Sequence, residues 1–214
     1  MMSKVTYRLI KKEDYKSISK LIEEAFHLGD LISDKSLLTI FTKKYLYDCL
    51  SEATYIEVAE LNNQVVGVIM GKADSKYSYL KHSNYYAQVM MQQFKIFLHP
   101  SKKELSSYND LLTIYDEFYE KHKEKFDGVL TLFAVNETCR GYGIGKQLLK
   151  DLMSYLEESQ VKRIYLFTDS TCNYGFYEYH DFNRLEEKPI TFNTSDKPKT
   201  MSVYFYERLL TSCS

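Results

Sequence analysis

The residues with the clearest chemical potential run from Arg140 to Lys146 and read Arg-Gly-Tyr-Gly-Ile-Gly-Lys. Gly141, Gly143 and Gly145 lack a Cβ, so successive backbone N–H groups can close around an anion. Arg140 and Lys146 flank them with positive charge, and a helix beginning here adds the favourable end of its dipole. The chemistry implied is capture of a phosphate or pyrophosphate. Among glycine-rich loops, a P-loop requires Ser or Thr after Gly-Lys, where this chain has Gln147, and a glycine five residues before Gly145, where this chain has Arg140. A dinucleotide fingerprint needs its third glycine three residues after the second, a place taken by Lys146, although Asp169 superficially suits a ribose.

An anion loop needs a strand to deliver it and a helix to follow it, and both are present. Val129 to Val135 is a β-branched and aromatic run that predicts a strand buried on both faces, ended by Asn136-Glu137. Ile144, Leu148, Leu152, Tyr155 and Leu156 recur at helical spacing, so the following helix lays one apolar face back on that strand.

Elsewhere, Val5 to Ile10 predicts a first strand. An amphipathic helix follows through Ile18, Leu21, Ile22, Ala25 and Phe26, and a second covers Lys35 to Leu50 with Leu38, Phe41, Tyr45 and Leu46 buried. Thr54 to Glu60 and Gln64 to Gly71 form a hairpin about Asn62-Asn63, with Gly67 marking a bulge or a close approach. The stretch 74–127 holds two helices separated by Pro100. The second presents Leu105, Tyr108, Leu112, Tyr115, Tyr119 and His122 along one face. Arg163 to Thr168 is a further strand ending at Asp169, Asn173 to Tyr179 a short helix, and Asp181 to Phe192 with Met201 to Leu209 a final hairpin. The order β-α-α-β-β-(α-α)-β-α-β-α-β-β predicts one mixed sheet with helices packed on it.

The chain has 214 residues, a net charge of −1 and a sequence pI near 6.5. That length suits a single domain over 1–214, enlarged by the helical segment at about 74–127. No global basic field invites nucleic acid, no apolar run is long enough for a membrane span, and no secretory signal is apparent. A cytoplasmic location is expected. Cys49, Cys139, Cys172 and Cys213 show no C-x-x-C spacing, so neither a metal site nor a disulfide framework is expected. Cys139 lies beside the anion loop, where a reactive role would need a partner base.

The pattern Arg-x-x-Gly-x-Gly from Arg140 to Gly145, placed after a strand, resembles the coenzyme A loop of the GNAT superfamily of N-acetyltransferases. The order of elements agrees across the chain apart from the enlarged helical segment. Arg8, Asp14, Ile18 and Leu21 resemble the family's opening strand and helix, and Asn62 followed by Val65-Val66-Gly67 resembles its first hairpin. Asn173 to Phe182 resembles its Asn…Phe-Tyr-Glu-x-x-Gly-Phe segment, with Asp181 in place of glycine, a turn position that tolerates Asp.

The resemblance implies an α/β (α+β) fold: a mixed, mostly antiparallel twisted sheet with a central parallel splayed pair and helices on both faces. It implies acetyl-coenzyme A as co-substrate. Backbone groups of Phe133, Ala134 and Val135 would pair with the pantetheine arm as an extra strand does. Arg140, Gly141, Tyr142, Gly143, Ile144, Gly145 and Lys146 would hold the pyrophosphate, Asn173 would touch the coenzyme from the other side, and Phe176 would wall the thioester channel. Tyr177 would be the catalytic acid: a phenol with an unperturbed pKa of about 10 is protonated at neutral pH and can protonate a departing thiolate. Relatives that acetylate protein N-termini carry a Glu near the end of the strand before that Asn, where this chain has Thr168. Asp169, Glu137 and His27 are alternative bases, each more readily read as a solvated or capping residue, and none of them is singled out.

The activity implied is transfer of acetyl to a primary amine of a small molecule or peptide by direct attack in a ternary complex. A non-catalytic acyl-coenzyme A sensor and an interaction module on the same fold remain alternatives, and so does homodimer formation. Acceptor specificity is expected in the segment 74–127, where Tyr77, Tyr79, Tyr85 and Tyr86 read as packing residues rather than pocket lining.

Overall fold

In the computed structural model, which describes residues 5–139, 141–194 and 197–210, seven strands and six α-helices follow the predicted order. The strands are β1 (Thr6–Leu9), β2 (Tyr55–Leu61), β3 (Gln64–Ala73), β4 (Gly128–Val135), β5 (Arg163–Asp169), β6 (Asn183–Phe192) and β7 (Lys199–Leu209). The helices are α1 (Tyr15–Ala25), α2 (Lys35–Glu52), α3 (Tyr79–Leu98), α4 (Ser106–His122), α5 (Ile144–Glu158) and α6 (Gly175–Tyr179). One sheet runs β1-β2-β3-β4-β5-β7-β6, antiparallel throughout except for the β4/β5 pair. Among the described residues no helix is long and apolar enough to cross a membrane.

Alternation along the strands sorts side chains to two faces. On one face Ile144, Leu148 and Leu152 of α5 and Tyr177 of α6 pack with Ile69, Leu130 and Ile164. On the other, Ile18 of α1 and Leu37, Phe41 and Leu46 of α2 pack with Val58, Val68 and Leu132. Helix α5 fits closely because β3 offers glycine beneath it. A Cβ on Gly67 would lie 3.1 Å from Ile144 Cγ2, and one on Gly71 would lie 2.5 Å from Leu152 Cδ1. The expectation of a bulge also holds: Ala59 pairs with Gly67 and Glu60 with Val65, which leaves Val66 as the extra residue.

The segment 74–127 forms α3 and α4, divided at His99-Pro100 as predicted. The buried stripe of α4 departs from expectation. Leu111, Ile114 and Phe118 join Ile190, Phe192, Val203 and Phe205 in a core against β6 and β7, whereas Leu112 is 38 % exposed. The sequence period marks a broad apolar arc, and the place of the two last strands selects which part of it is covered. Helix α3 and the turn that leads into it are tied to their neighbours partly through hydroxyls. Tyr77 Oη donates to the Ser51 carbonyl, and the Tyr15 and Tyr85 hydroxyls lie 3.1 Å apart.

The opening segment is pinned by charge. Arg8 donates from both terminal nitrogens to the Asp14 carboxylate at 2.7 and 2.9 Å and from Nη2 to Glu60 at 2.6 Å. This bidentate contact holds the carboxyl of Asp14, itself buried, below the usual carboxylate range. A second acidic group behaves in the opposite way. Glu57 on β2 is buried beside Asp151 of α5, its Oε2 has no hydrogen-bond partner among the described residues, and burial followed by repulsion from Asp151 pushes its pKa up to about 7. Because the folded pKa exceeds the unfolded value, the fold favours the protonated form. Stability is therefore full below about pH 4.5 and declines as pH rises toward 7. Glu57→Gln should raise stability at pH 8 by about 2 kcal/mol, several degrees in melting temperature, and change little at pH 4. Thermal melts of both proteins at the two pH values check this; equal shifts at both would contradict it.

Candidate functional site

The parallel pair that carries the site is joined only briefly. Gly128 pairs with Ile164 and Val129 with Tyr165, after which β4 continues to Val135 and β5 to Asp169 without facing one another. A β-bulge accounts for the divergence. Met70 pairs with Leu132 and Gly71 with Leu130, so Thr131 is an extra residue on β4 where the split begins. A bulge bends and twists its strand, here away from β5. Both strands keep their outer partners, since β3 stays paired to Val135 and β7 to Asp169. The wedge is thus held open from both sides. A cavity of about 1130 Å³ occupies it, reaching from Gly141, Gly143 and Gly145 past Phe133 and Tyr177 to α2 and α4 on the other face of the sheet.

At the cavity's first end lies the glycine turn. Gly141 has φ 87° and Gly143 φ 72°, conformations costly for other residues, and a Cβ at either would meet nothing within 4 Å. Packing therefore does not demand glycine at those two positions; the backbone conformation does, and the space beside it is left open. Gly143 caps α5 with no side-chain cap bond, and the first helical bond runs from Gln147 N–H to the Gly143 carbonyl. The helix supplies no acceptor to the N–H groups of Ile144, Gly145 and Lys146, whose donors face the dipole-favoured end. Gly145 has a different role: a Cβ there would sit 3.3 Å from Phe133 Cζ. Lys146 is exposed and lines the cavity, whereas Tyr142 is exposed and is not among its lining residues. Arg140 lies outside the described residues.

Along the cavity wall, Phe133, Ala134 and Val135 form the part of β4 beyond the split. Their outer edge pairs with β3, and the inner edge has no strand partner among the described residues, as an incoming extended ligand requires. The Phe133 ring lies 5.4 Å from Phe176 and 6.3 Å from Tyr177. Asn173 is exposed at the lip, just before α6, and its carbonyl accepts from Phe176 N–H.

Tyr177 is buried and its ring is fixed against Phe133, Phe182 and Tyr206, yet it lines the cavity. Burial, reinforced by Cys172 and Asp169, raises its pKa above the ordinary phenol value, and no described residue holds its hydroxyl. Asp169 lines the same space. Its Oδ1 accepts from Thr171 N–H at 2.7 Å, a local turn that fixes the carboxylate at the end of β5. Thr168 and Cys172 complete this corner, and burial pushes the Cys172 thiol up to about 12. Glu137 lines the cavity, and His27 lies at its exposed margin with φ 49°.

Several lining residues were read from the sequence only as packing positions, among them Phe26, Phe41, Tyr45, Tyr108 and Tyr115. Their helical spacing marks an inward face, and nothing local separates a side chain that faces a cavity from one that faces core. Tyr77, Tyr79, Tyr85 and Tyr86 do not line the cavity and instead contact one another, α1 or α2, as expected. Cys49, Cys139 and Cys172 are free thiols, and Cys213 lies outside the described residues.

Comparison with known proteins adds a family. The model described as "Acetyltransferase (GNAT) family" matches residues 17–182. Among solved structures, the chain is similar to a ribosomal-protein-S18-alanine N-acetyltransferase from Escherichia coli at 11% identity and TM-score 0.58, covering 99% of this chain and 97% of that one. It is also similar to an N-acetyltransferase from Staphylococcus aureus Mu50, at 16% identity and TM-score 0.55, covering 98% and 100%. An agmatine N-acetyltransferase matches at 12% identity and TM-score 0.62, covering 96% and 99%. At such identities these structures speak for a shared fold. A search of curated protein sequences gives no match.

Proposed function

Since this chain belongs to the GNAT family of acetyltransferases, we propose that its cleft binds acetyl-coenzyme A and transfers the acetyl group to a primary amine. The observation that carries this reading is the conjunction of a glycine turn opening on α5 with a neighbouring parallel pair that separates after two rows. The residues present fit the coenzyme. The open space over Gly141 and Gly143 and the uncapped N–H groups of Ile144, Gly145 and Lys146 suit a diphosphate, with Lys146 and Arg140 supplying charge. The unpaired inner edge of Phe133, Ala134 and Val135 suits an amide-bearing arm. Tyr142 lies on the solvent side of the turn, Asn173 offers polar groups at the opposite lip, and Phe176 closes the channel.

When bound, acetyl-coenzyme A supplies an acetyl thioester. The wedge brings an amine entering from the α2 and α4 side to the carbonyl carbon, so that an N–C bond forms as the C–S bond breaks. Tyr177 Oη holds a proton at neutral pH and gives it to the departing sulfur. Its raised pKa keeps it protonated across the physiological range. Asp169, fixed by Thr171 on the same cavity, is the carboxylate that orients the amine and passes its released proton to water, and water in turn reprotonates the Tyr177 phenolate. With acetyl-coenzyme A and a panel of primary amines, a thiol-release assay is expected to show amine-dependent turnover. Tight binding of acetyl-coenzyme A with no release for any amine would instead favour a sensor, and no binding at all would remove the enzyme reading.

A further inference from the structure

The acceptor end of the cavity is built from rings. Phe167 of β5 stacks on Tyr115 of α4 with centroids 4.1 Å apart and planes 16° from parallel. Phe41 of α2 meets Tyr108 of α4 edge-on at 4.7 Å, and Phe26 after α1 lies 5.6 Å from Tyr45 of α2. All six line the cavity on the face of the sheet opposite α5. The tyrosines come from two helices, α2 and α4, the latter in the stretch between β3 and β4.

Among the described residues, charge is nearly absent from that wall. Among the ionisable side chains on the cavity, Lys146 and Glu137 lie at the glycine-turn end. Lys199 donates to Asp30 at 2.9 Å, so these two neutralise one another at the rim, with His27 nearby. Asp169 is the carboxylate that faces the junction with Tyr177. The hydroxyls of Tyr45, Tyr108 and Tyr115 add polarity without charge, and none of the three makes a hydrogen bond to a described residue. A polycation would leave its distal charges facing rings, since Asp30 is already paired with Lys199 and Asp169 lies at the junction with Tyr177; attraction to the ring faces, about 0.5–2 kcal/mol per cation, offsets only part of a desolvation cost of several kcal/mol per ion. A peptide would need partners for its backbone groups along the same wall. An aromatic body buries well against such rings, and a ring hydroxyl or ether can meet the tyrosine hydroxyls.

Resting on the acetyltransfer reading above, we infer that the acceptor is a primary amine carried on an uncharged aromatic body, bound between α2, α4 and β5. The test compares 2-phenylethylamine and tyramine with spermidine and an alanine-initiated tripeptide as acceptors, using the full chain and acetyl-coenzyme A. The arylethylamines are expected to exceed both others by at least about tenfold in kcat/KM. Tyr115→Ala is expected to raise their KM about tenfold with the KM for acetyl-coenzyme A unchanged. Tyr45→Ala, on a different helix, repeats the measurement should the first variant unfold. Preference for spermidine or the peptide overturns the inference and leaves acetyltransfer standing. If no amine is acetylated while acetyl-coenzyme A binds, the aromatic acceptor is likewise overturned. If acetyl-coenzyme A fails to bind, the underlying reading falls first.

Discussion

Tyr177→Phe should lower kcat by about 10²- to 10⁴-fold while the affinity for acetyl-coenzyme A stays within about twofold. The substitution removes one oxygen and keeps the ring, and it is the ring that packs against Phe133, Phe182 and Tyr206. Folding is therefore expected to survive, because no described residue depends on the hydroxyl for a hydrogen bond. What is lost is a proton held beside the departing sulfur. The pH dependence gives a second readout. Because burial raises the Tyr177 pKa above the ordinary phenol value, wild-type activity should show no alkaline loss attributable to this group below about pH 10. A Phe variant with wild-type kcat from pH 6 to 10 would exclude the phenol as the acid.

The second large effect falls on the glycine turn. Gly143→Val should weaken acetyl-coenzyme A binding by at least about tenfold, with helix content unchanged and stability lowered by about 1–3 kcal/mol. At φ 72° a β-branched residue is strained, and relief of that strain must rotate the peptide groups that open α5. The open space around the added Cβ means that no packed neighbour is displaced, so the damage stays in the backbone and in the room left for the anion. Isothermal titration with acetyl-coenzyme A, alongside circular dichroism, separates loss of the cradle from loss of the fold. Unchanged affinity would show that the turn is structural.

The parts of this site that lie within a few residues of each other were legible in the sequence. Gly141 and Gly143 take left-handed conformations, α5 begins at Ile144, and Asp181, standing where the resemblance leads one to expect glycine, has φ 61°. The opening of the wedge was not legible from local pattern. It depends on the extra residue Thr131 and on β3 and β7 holding β4 and β5 apart, and an apolar run carries no mark of either. For the same reason Tyr45, Tyr108 and Tyr115 read as core positions. A tyrosine at helical spacing points inward in both cases, and only the meeting of α2 with α4 across the wedge turns that inward direction into a cavity wall. On α4 itself, Leu112 and Leu111 are indistinguishable by type, and contact with β6 and β7 buries the second and leaves the first exposed. Glu57 shows a different limit: its pKa is raised first by burial and then by Asp151, 94 positions away in the chain but adjacent in space, and neither is marked in the local sequence.

A crystal structure of the full chain with acetyl-coenzyme A bound is the most direct measurement. The expected result is a diphosphate ringed by the main-chain N–H groups that follow Gly143, the pantetheine arm paired to the inner edge of β4, and the thioester sulfur within hydrogen-bonding reach of Tyr177 Oη. Coenzyme bound elsewhere, with the glycine turn vacant and Tyr177 Oη remote from the thioester, would contradict it.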